Sequence, residues 1–257
     1  MKNKFIFLML LTLAILFLQN CKESAITNTE KDIYSDDIAD ITFLNNSFYS
    51  TNYDLSYNSG SQVALLRFEK NEEEVFLVDN FNLGLNGQRY LAITNDGENL
   101  FLQSRSSYII FKYSVLGERI YFNTDSLSTF WQPSGICFLE EKDSLLLLYR
   151  NINSPKQYRA RIVDKAHPQN NSMDKTFSFG FIDTLNSGIY AIDDFNSSLF
   201  MLGVDTINND LLIRTDYNFE VTSIDTIQDS TVVGLCFESN NLYLSYADKR
   251  IERWGTY

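Results

Sequence analysis

Carboxylates recur at one place in this chain, and they are its residues best equipped for chemistry. Glu140-Glu141, Asp193-Asp194 and Glu238 each follow one short apolar run and precede another. Asn45-Asn46 and Asn95-Asp96-Gly97 hold the same place elsewhere. Carboxylate oxygens of this kind can hold a hard cation such as calcium or magnesium. A suitably spaced pair can also hydrolyse a glycoside, which needs carboxyls about 5–5.5 Å or about 6.5–9.5 Å apart. Asn, Asp and Gly are equally what tight hairpin turns require, because they tolerate positive φ and bond their own backbone. No spaced Asp-x-Asp-x-Asp-Gly loop accompanies them. Turn chemistry is therefore the favoured reading, and no metal ligand or cofactor is expected.

The other reactive residues point the same way. His167 is the only histidine and lies in the polar run Lys165-Ala-His-Pro-Gln-Asn-Asn-Ser. A single histidine excludes a His-Glu-x-x-His zinc site, and a Ser-His-Asp triad would have to run through His167. No Gly-x-Ser-x-Gly elbow and no phosphate-cradling glycine loop occurs. Cys137 and Cys236 sit in matching settings, Gly135-Ile-Cys-Phe and Gly234-Leu-Cys-Phe. Matching positions of different repeats are held apart, so two buried free thiols are expected rather than a disulfide. No catalytic residue is expected.

A contact surface is easier to find than a reaction. Asn52-Tyr53-Asp54-Leu55-Ser56-Tyr57-Asn58-Ser59-Gly60 is longer than a hairpin requires, and Phe130-Trp131-Gln132-Pro133 has a similar character. Arg89, Arg105, Lys156 and Lys249 fall nearby in the pattern. Aromatics with Asn and Ser make adaptable surfaces for proteins or sugars. Tyr53, Tyr57 and Trp131 are the candidate binding face. Their alternative is simple packing onto the strands below.

Both sets of residues must be positioned by strands. Five segments share one grammar of apolar strand, Asn/Asp-rich turn and second apolar strand, beginning at Ile41, Leu91, Ile136, Ile189 and Leu235. Their first residues lie 50, 45, 53 and 46 apart. Further strand-like runs follow in each unit: Val63–Phe68 and Val75–Val78, Tyr108–Val115 and Arg119–Phe122, Tyr158–Val163 and Thr176–Ile182, Leu211–Thr215 and Val221–Ile224. The fifth unit has Leu235–Phe237, Leu242–Tyr246 and Arg250–Trp254. Four antiparallel strands at this period are a β-propeller blade. The expectation is an all-β, five-bladed propeller of four-stranded blades over residues 32–257, the last blade completed by an N-terminal strand near Ile33-Tyr34. Such closure leaves no exposed sheet edge. The 20 Phe and 15 Tyr suit both strands and the packing of blade on blade. Through its repeated Φ-x-Φ, Asn/Asp turn, Leu-Φ-Leu pattern the chain resembles the loose group of NHL and SMP-30-type propellers. The Trp-Asp pair of WD40 repeats is missing.

The N-terminus supplies an address. Lys2 and Lys4 precede an apolar run from Phe5 to Leu18, followed by Gln19-Asn20-Cys21. This is the layout of an export signal. The run of 14 residues is shorter than the roughly 20 needed to span a bilayer. Leu18-Gln19-Asn20-Cys21 resembles the lipobox of bacterial lipoproteins, although Gln19 and Asn20 stand where small residues are usual. The resemblance implies a signal peptide over 1–20 and lipidation of Cys21, with a diacylglycerol on the thiol and a further acyl chain such as palmitate on the amine. Each buried CH₂ is worth about 0.8 kcal/mol, so two or more chains hold a protein on a membrane nearly permanently. Residues 21–31 read as a polar tether. No aspartate follows the cysteine, which points to the outer membrane or cell surface.

Removing Lys2 and Lys4 with the leader takes the net charge from −12 to −14. That balance disfavours nucleic acid, whose binding rests on clustered Lys and Arg. Two functions remain. The first is a membrane-anchored module that binds a protein, peptide or glycan. The second is a propeller-type hydrolase acting on sugars or lactones through carboxylates in the central channel, with or without a divalent metal.

Overall fold

Each of the five hairpins read from the sequence forms, and each becomes the inner half of a blade. The computed structural model describes residues 38–52, 62–71, 74–86, 90–104, 109–115, 119–123, 130–182, 188–228 and 231–257. The leader, Cys21, the tether and the expected closing strand near Ile33-Tyr34 lie outside the described residues.

Blade 1 consists of β1 (Ile38–Leu44), β2 (Ser47–Asn52), β3 (Gln62–Lys70) and β4 (Val75–Asn86). Blade 2 holds β5 (Tyr90–Asn95), β6 (Asn99–Ser104), β7 (Ile109–Ser114) and β8 (Arg119–Asn123). Blade 3 holds β9 (Trp131–Leu139), β10 (Ser144–Asn151), β11 (Gln157–Asp164) and β12 (Asn171–Ser178). Blade 4 holds β13 (Ile189–Phe195), β14 (Ser198–Val204), β15 (Asp210–Thr215) and β16 (Val221–Ile227). Blade 5 has three strands among the described residues, β17 (Val232–Glu238), β18 (Asn241–Tyr246) and β19 (Ile251–Thr256). All neighbours in a blade are antiparallel.

The inner strands close a ring. β1 packs on β5, β5 on β9, β9 on β13, β13 on β17, and β17 returns to β1. The fold is a five-bladed β-propeller, as the period of the repeat implies. Its core is divided the same way, because a blade is apolar on both faces and must cover both. Phe101 and Ile110 of blade 2 meet Ile136, Leu145 and Leu147 of blade 3. Cys137 and Leu146 of blade 3 meet Ile192 and Met201 of blade 4. Phe200 and Leu212 of blade 4 meet Leu235 and Leu244 of blade 5. Phe48 and Phe68 of blade 1 meet Cys236 and Tyr243 of blade 5. Each fully buried side chain of this size contributes roughly 1.5–3 kcal/mol. Cys137 and Cys236 are free, buried and in different junctions, as their matching settings predict.

The outer strands depart most from the sequence reading. β12 runs over Asn171–Ser178, not Thr176–Ile182. An outermost strand covers only one edge of the core, and in β12 only alternate residues such as Met173 and Phe177 turn inward. The denser apolar run after it, Phe179 to Ile182, packs on the end of the blade instead.

The inner strands share a further feature. Each carries a β-bulge at the same height, opposite Thr51, Ser104/Gln103, Tyr149/Leu148, Gly203/Leu202 and Tyr246/Ser245 of the second strands. A bulge adds one residue and resets which side chain faces which way. Beyond the bulge the five strands run in equivalent register to their turns. Asp40, Ala92, Gly135, Ala191 and Gly234 form one layer. Ile41, Ile93, Ile136, Ile192 and Leu235 form the next, and Thr42, Thr94, Cys137, Asp193 and Cys236 the one above.

Candidate functional site

An innermost strand pairs on one side only, so its other edge offers backbone amides to the ring axis without ladder partners. Such amides need acceptors. Side chains of the layers just described supply them. The Phe138 amide donates to Thr94 Oγ1 of the preceding blade at 3.0 Å. The Phe237 amide donates to Asp193 Oδ2 at 2.9 Å, and the Asp194 amide to Asp193 Oδ1 at 2.9 Å. Asn95 reaches back to Thr42 Oγ1 at 2.7 Å and to the Phe43 carbonyl at 3.0 Å. Asp40 Oδ1 accepts from its neighbour Ile41 at 2.9 Å and from Leu235 of blade 5 at 3.2 Å.

Apart from Asp40 and its partners, these groups line a cavity of about 500 Å³ at the turn end of the ring. Blade 1 gives it Thr42 and Phe43, blade 2 Thr94 to Gly97, and blade 3 Phe138, Glu140 and Glu141. Blade 4 gives Asp193 to Ser197, and blade 5 Phe237 and Ser239. Among the described residues, five carboxylates and four phenylalanines line it, and no lysine or arginine does.

The turns at its mouth are what their residues predict. Asn45 and Asn46 have φ of 51° and 62°, and Asn196 and Ser197 of 49° and 57°, the two-residue turn that needs left-handed backbone at both positions. Asp96 accepts the amides of Glu98 and Asn99 within its own turn. Glu140 and Glu141 open a short 3-10 turn that ends on Asp143 at φ 46°. The reading of turn chemistry is correct for these. It is incomplete for Asp193 and Asp194, which precede their turn and lie on β13. It also misplaces Glu238, whose carboxylate pairs with Lys70 of blade 1 at the ring junction.

Burial shapes the acidity of the site. Asp193 is pushed up to about 7 by desolvation, although the Phe237 and Asp194 amides oppose this. Asp194 is pushed up to about 6 by desolvation, with Glu141 and Glu140 adding repulsion, while the Tyr217 hydroxyl, donating at 2.9 Å, and the Lys142 ammonium hold it down. Asp40 is buried and lies well above the usual carboxylate range, chiefly through desolvation. Asp96 goes the other way despite its burial, because two amides and the Lys165 ammonium favour its anion. Lys165 also reaches Asp143 at 2.6 Å. Among the described residues, no three His, Cys, Asp or Glu side chains are gathered as a metal ion needs.

No family model matches this sequence, and no curated protein matches it. Its fold has many counterparts among solved structures. Glutaminyl cyclase of Myxococcus xanthus is similar at 12% identity over 86% of this chain and 91% of its own, with a TM-score of 0.55. A nidogen/laminin complex matches at 14% identity, covering 81% and 72%, with a TM-score of 0.49. Virginiamycin B lyase of Staphylococcus aureus matches at 11%, covering 85% and 95%, with a TM-score of 0.44. The likeness is one of fold. It agrees with the propeller resemblance read from the strand grammar and goes no further.

Of the face chosen from sequence, Trp131 alone is among the described residues, at the end of β9 away from the cavity. Tyr53 and Tyr57, with Arg89 and Arg105, lie outside the described residues. Trp131 opens β9, half-buried against the junction of blades 2 and 3, with the Arg159 guanidinium 5.8 Å from its ring centre. His167 is exposed, and its amide donates to Asp164 in a turn. The cavity carboxylates were visible in the sequence as a recurrence. Which of them turn to the axis depends on the bulge, and no sequence pattern announces that.

Proposed function

We propose that the protein is an exported lipoprotein, held on the cell envelope by lipid on Cys21, whose propeller is a binding module for a protein, peptide or glycan. The leader and its cysteine support the address. The observation that carries the binding reading is the axial cavity of about 500 Å³, concave, aromatic-walled and rich in carboxylates. Pockets of this size with a few convergent polar groups are the usual form of a ligand site.

The test compares two faces on the intact protein. One variant carries Glu141→Gln and Asp194→Asn in the cavity; the other carries Tyr53→Ala, Tyr57→Ala and Trp131→Ala. Crosslinked partners are compared by mass spectrometry, and membrane attachment is followed in Cys21→Ser. Loss of capture in the cavity variant alone places recognition at the axis, and loss in the aromatic variant alone moves it to the far rim. Capture unchanged in both, with each folded, removes the binding reading. Cys21→Ser should shed the protein into the soluble fraction.

One observation favours a hydrolase as the second reading. Asp193, raised to about 7, would be a competent general acid at neutral pH. Yet Asp193 and Asp194 are adjacent on a strand and point to opposite sides of it, one to Phe237 and the other to Tyr217. They do not face each other across a space for substrate. Turnover of an aryl glycoside or lactone that is lost in Asp193→Asn would restore this reading.

A further inference from the structure

Resting on the cavity reading, we infer that the group this cavity receives is an organic cation, the ammonium or guanidinium of a basic peptide side chain. The lining combines anionic oxygen with aromatic faces. Among the described lining residues Asp193, Asp194, Glu140 and Glu141 stand without a lysine or arginine, and Lys142 alone acts on Asp194 from the rim, whereas Asp96 is already matched by Lys165. Phe43, Phe138, Phe195 and Phe237 make the walls, with Phe195 and Phe237 stacked at 4.2 Å. An alkylammonium gains from both elements at once, a charge-assisted hydrogen bond to carboxylate and attraction to the ring face. The rim shows the chemistry in miniature. The Lys165 ammonium lies 5.2 Å from the centre of the Phe138 ring, and the Lys142 ammonium 4.6 Å from that of Tyr217. A hard metal ion would gain nothing from the phenylalanine walls, since it requires a shell of oxygens.

A further buried carboxylate lies beneath the cavity layer. Asp40 occupies a layer in which the other blades keep Ala92, Gly135, Ala191 and Gly234. Its carboxylate lies at the middle of the ring. It accepts from Leu235 of blade 5 and draws on the Ile93 amide of blade 2. It is 1% exposed, and its Oδ2 has no hydrogen-bond partner. Two residues on along β1, Thr42 lines the cavity, so Asp40 lies roughly 7 Å below it at the strand rise.

The experiment titrates the full-length protein in detergent at pH 8 by calorimetry, at constant ionic strength. The probes are an acetylated, amidated trilysine peptide, spermidine, a trialanine peptide blocked in the same way, and calcium chloride. Saturable binding of trilysine but not trialanine, weakened tenfold or more by Glu141→Gln with Asp194→Asn and unchanged by Trp131→Ala, supports the inference. Spermidine binding more tightly than trilysine would keep the cation chemistry but assign it to a free polyamine. Where a variant fails to fold, the wild type at pH 5 serves instead. Asp193 and Asp194, which share this space with Glu140, Glu141 and Lys142, are then protonated, and trilysine affinity should fall. Calcium binding that excludes trilysine, or affinity indifferent to both substitution and pH, overturns the inference. Trialanine or a glycan binding with loss in the cavity variant would overturn the cation but leave the cavity reading standing. No ligand sensitive to cavity substitution would end both.

Discussion

At the scale of single residues, burial sets the sign of the pH response. Asp193, Asp194 and Asp40 all have folded values above the ordinary 3.8, the first two at about 7 and about 6. The native state therefore binds protons more tightly than the unfolded chain between roughly pH 7 and 4. Stability from these groups is fully present below 3.8 and is lost as pH rises through 6 and 7. Each contributes a slope of at most about 1.4 kcal/mol per pH unit in that window. Asp96, Asp164, Asp174, Asp205 and Asp216 are lowered, and their stabilising effect is lost only as pH falls through values below 3.8. The melting temperature should accordingly be higher at pH 5 than at pH 8. Relief of the overall negative charge acts in the same direction, so the assignment requires Asp193→Asn, which should flatten the slope. A wild-type protein that loses stability steadily from pH 8 to pH 5 would contradict it.

At the scale of elements, the layers of the inner strands make different demands on similar residues. Gly135 and Gly234 hold the same register position in β9 and β17. A Cβ on Gly234 would lie 2.5 Å from Asp40 Cα and 2.8 Å from the Ile41 amide nitrogen, which are backbone atoms. A Cβ on Gly135 would meet Ile192 Cγ2 at 2.8 Å, with the Ile192 backbone nitrogen at 3.7 Å. Gly234→Ala should cost about 1–3 kcal/mol as an overpacked site and Gly135→Ala clearly less, measured as urea midpoints. Equal costs would mean that the junction of blades 5 and 1 is looser than its contacts imply. The two glycines look identical in the sequence, in Gly-Ile-Cys-Phe and Gly-Leu-Cys-Phe. The inner hairpins were legible because both faces of a blade are buried, so each strand is a dense apolar run next to a turn. Outer strands such as β16, exposed over Val221 to Thr226, carry a weaker pattern. The axial role of Asp40 and Asp193 was not legible at all, because it depends on a bulge and on which neighbour's amide lacks a partner.

At the scale of the whole molecule, the question is whether the five repeats behave as an array or as a ring. In an open array each repeat answers only to its neighbours, and unfolding can begin at an end and spread. Here β17 packs on β1, Phe48 and Phe68 pack with Cys236 and Tyr243, and Lys70 pairs with Glu238 and donates to Tyr243 across the same junction. Opening any one junction therefore exposes two apolar blade faces, and opening that of blades 5 and 1 or of blades 4 and 5 also breaks the axial bond to Asp40 or Asp193. The two free thiols report on this from separate places. Cys137 lies between blades 3 and 4 and Cys236 between blades 5 and 1, and burial pushes both thiols up and hides them. Pulsed alkylation across a urea gradient, followed by digestion and mass spectrometry, gives a midpoint for each. A closed ring requires the two midpoints to coincide, and requires Lys70→Ala to lower both together although Cys137 is distant from the change. If Cys236 is labelled at lower urea than Cys137, or if Lys70→Ala moves only Cys236, the junction of blades 5 and 1 opens independently. The chain would then behave as a curved array whose ends touch.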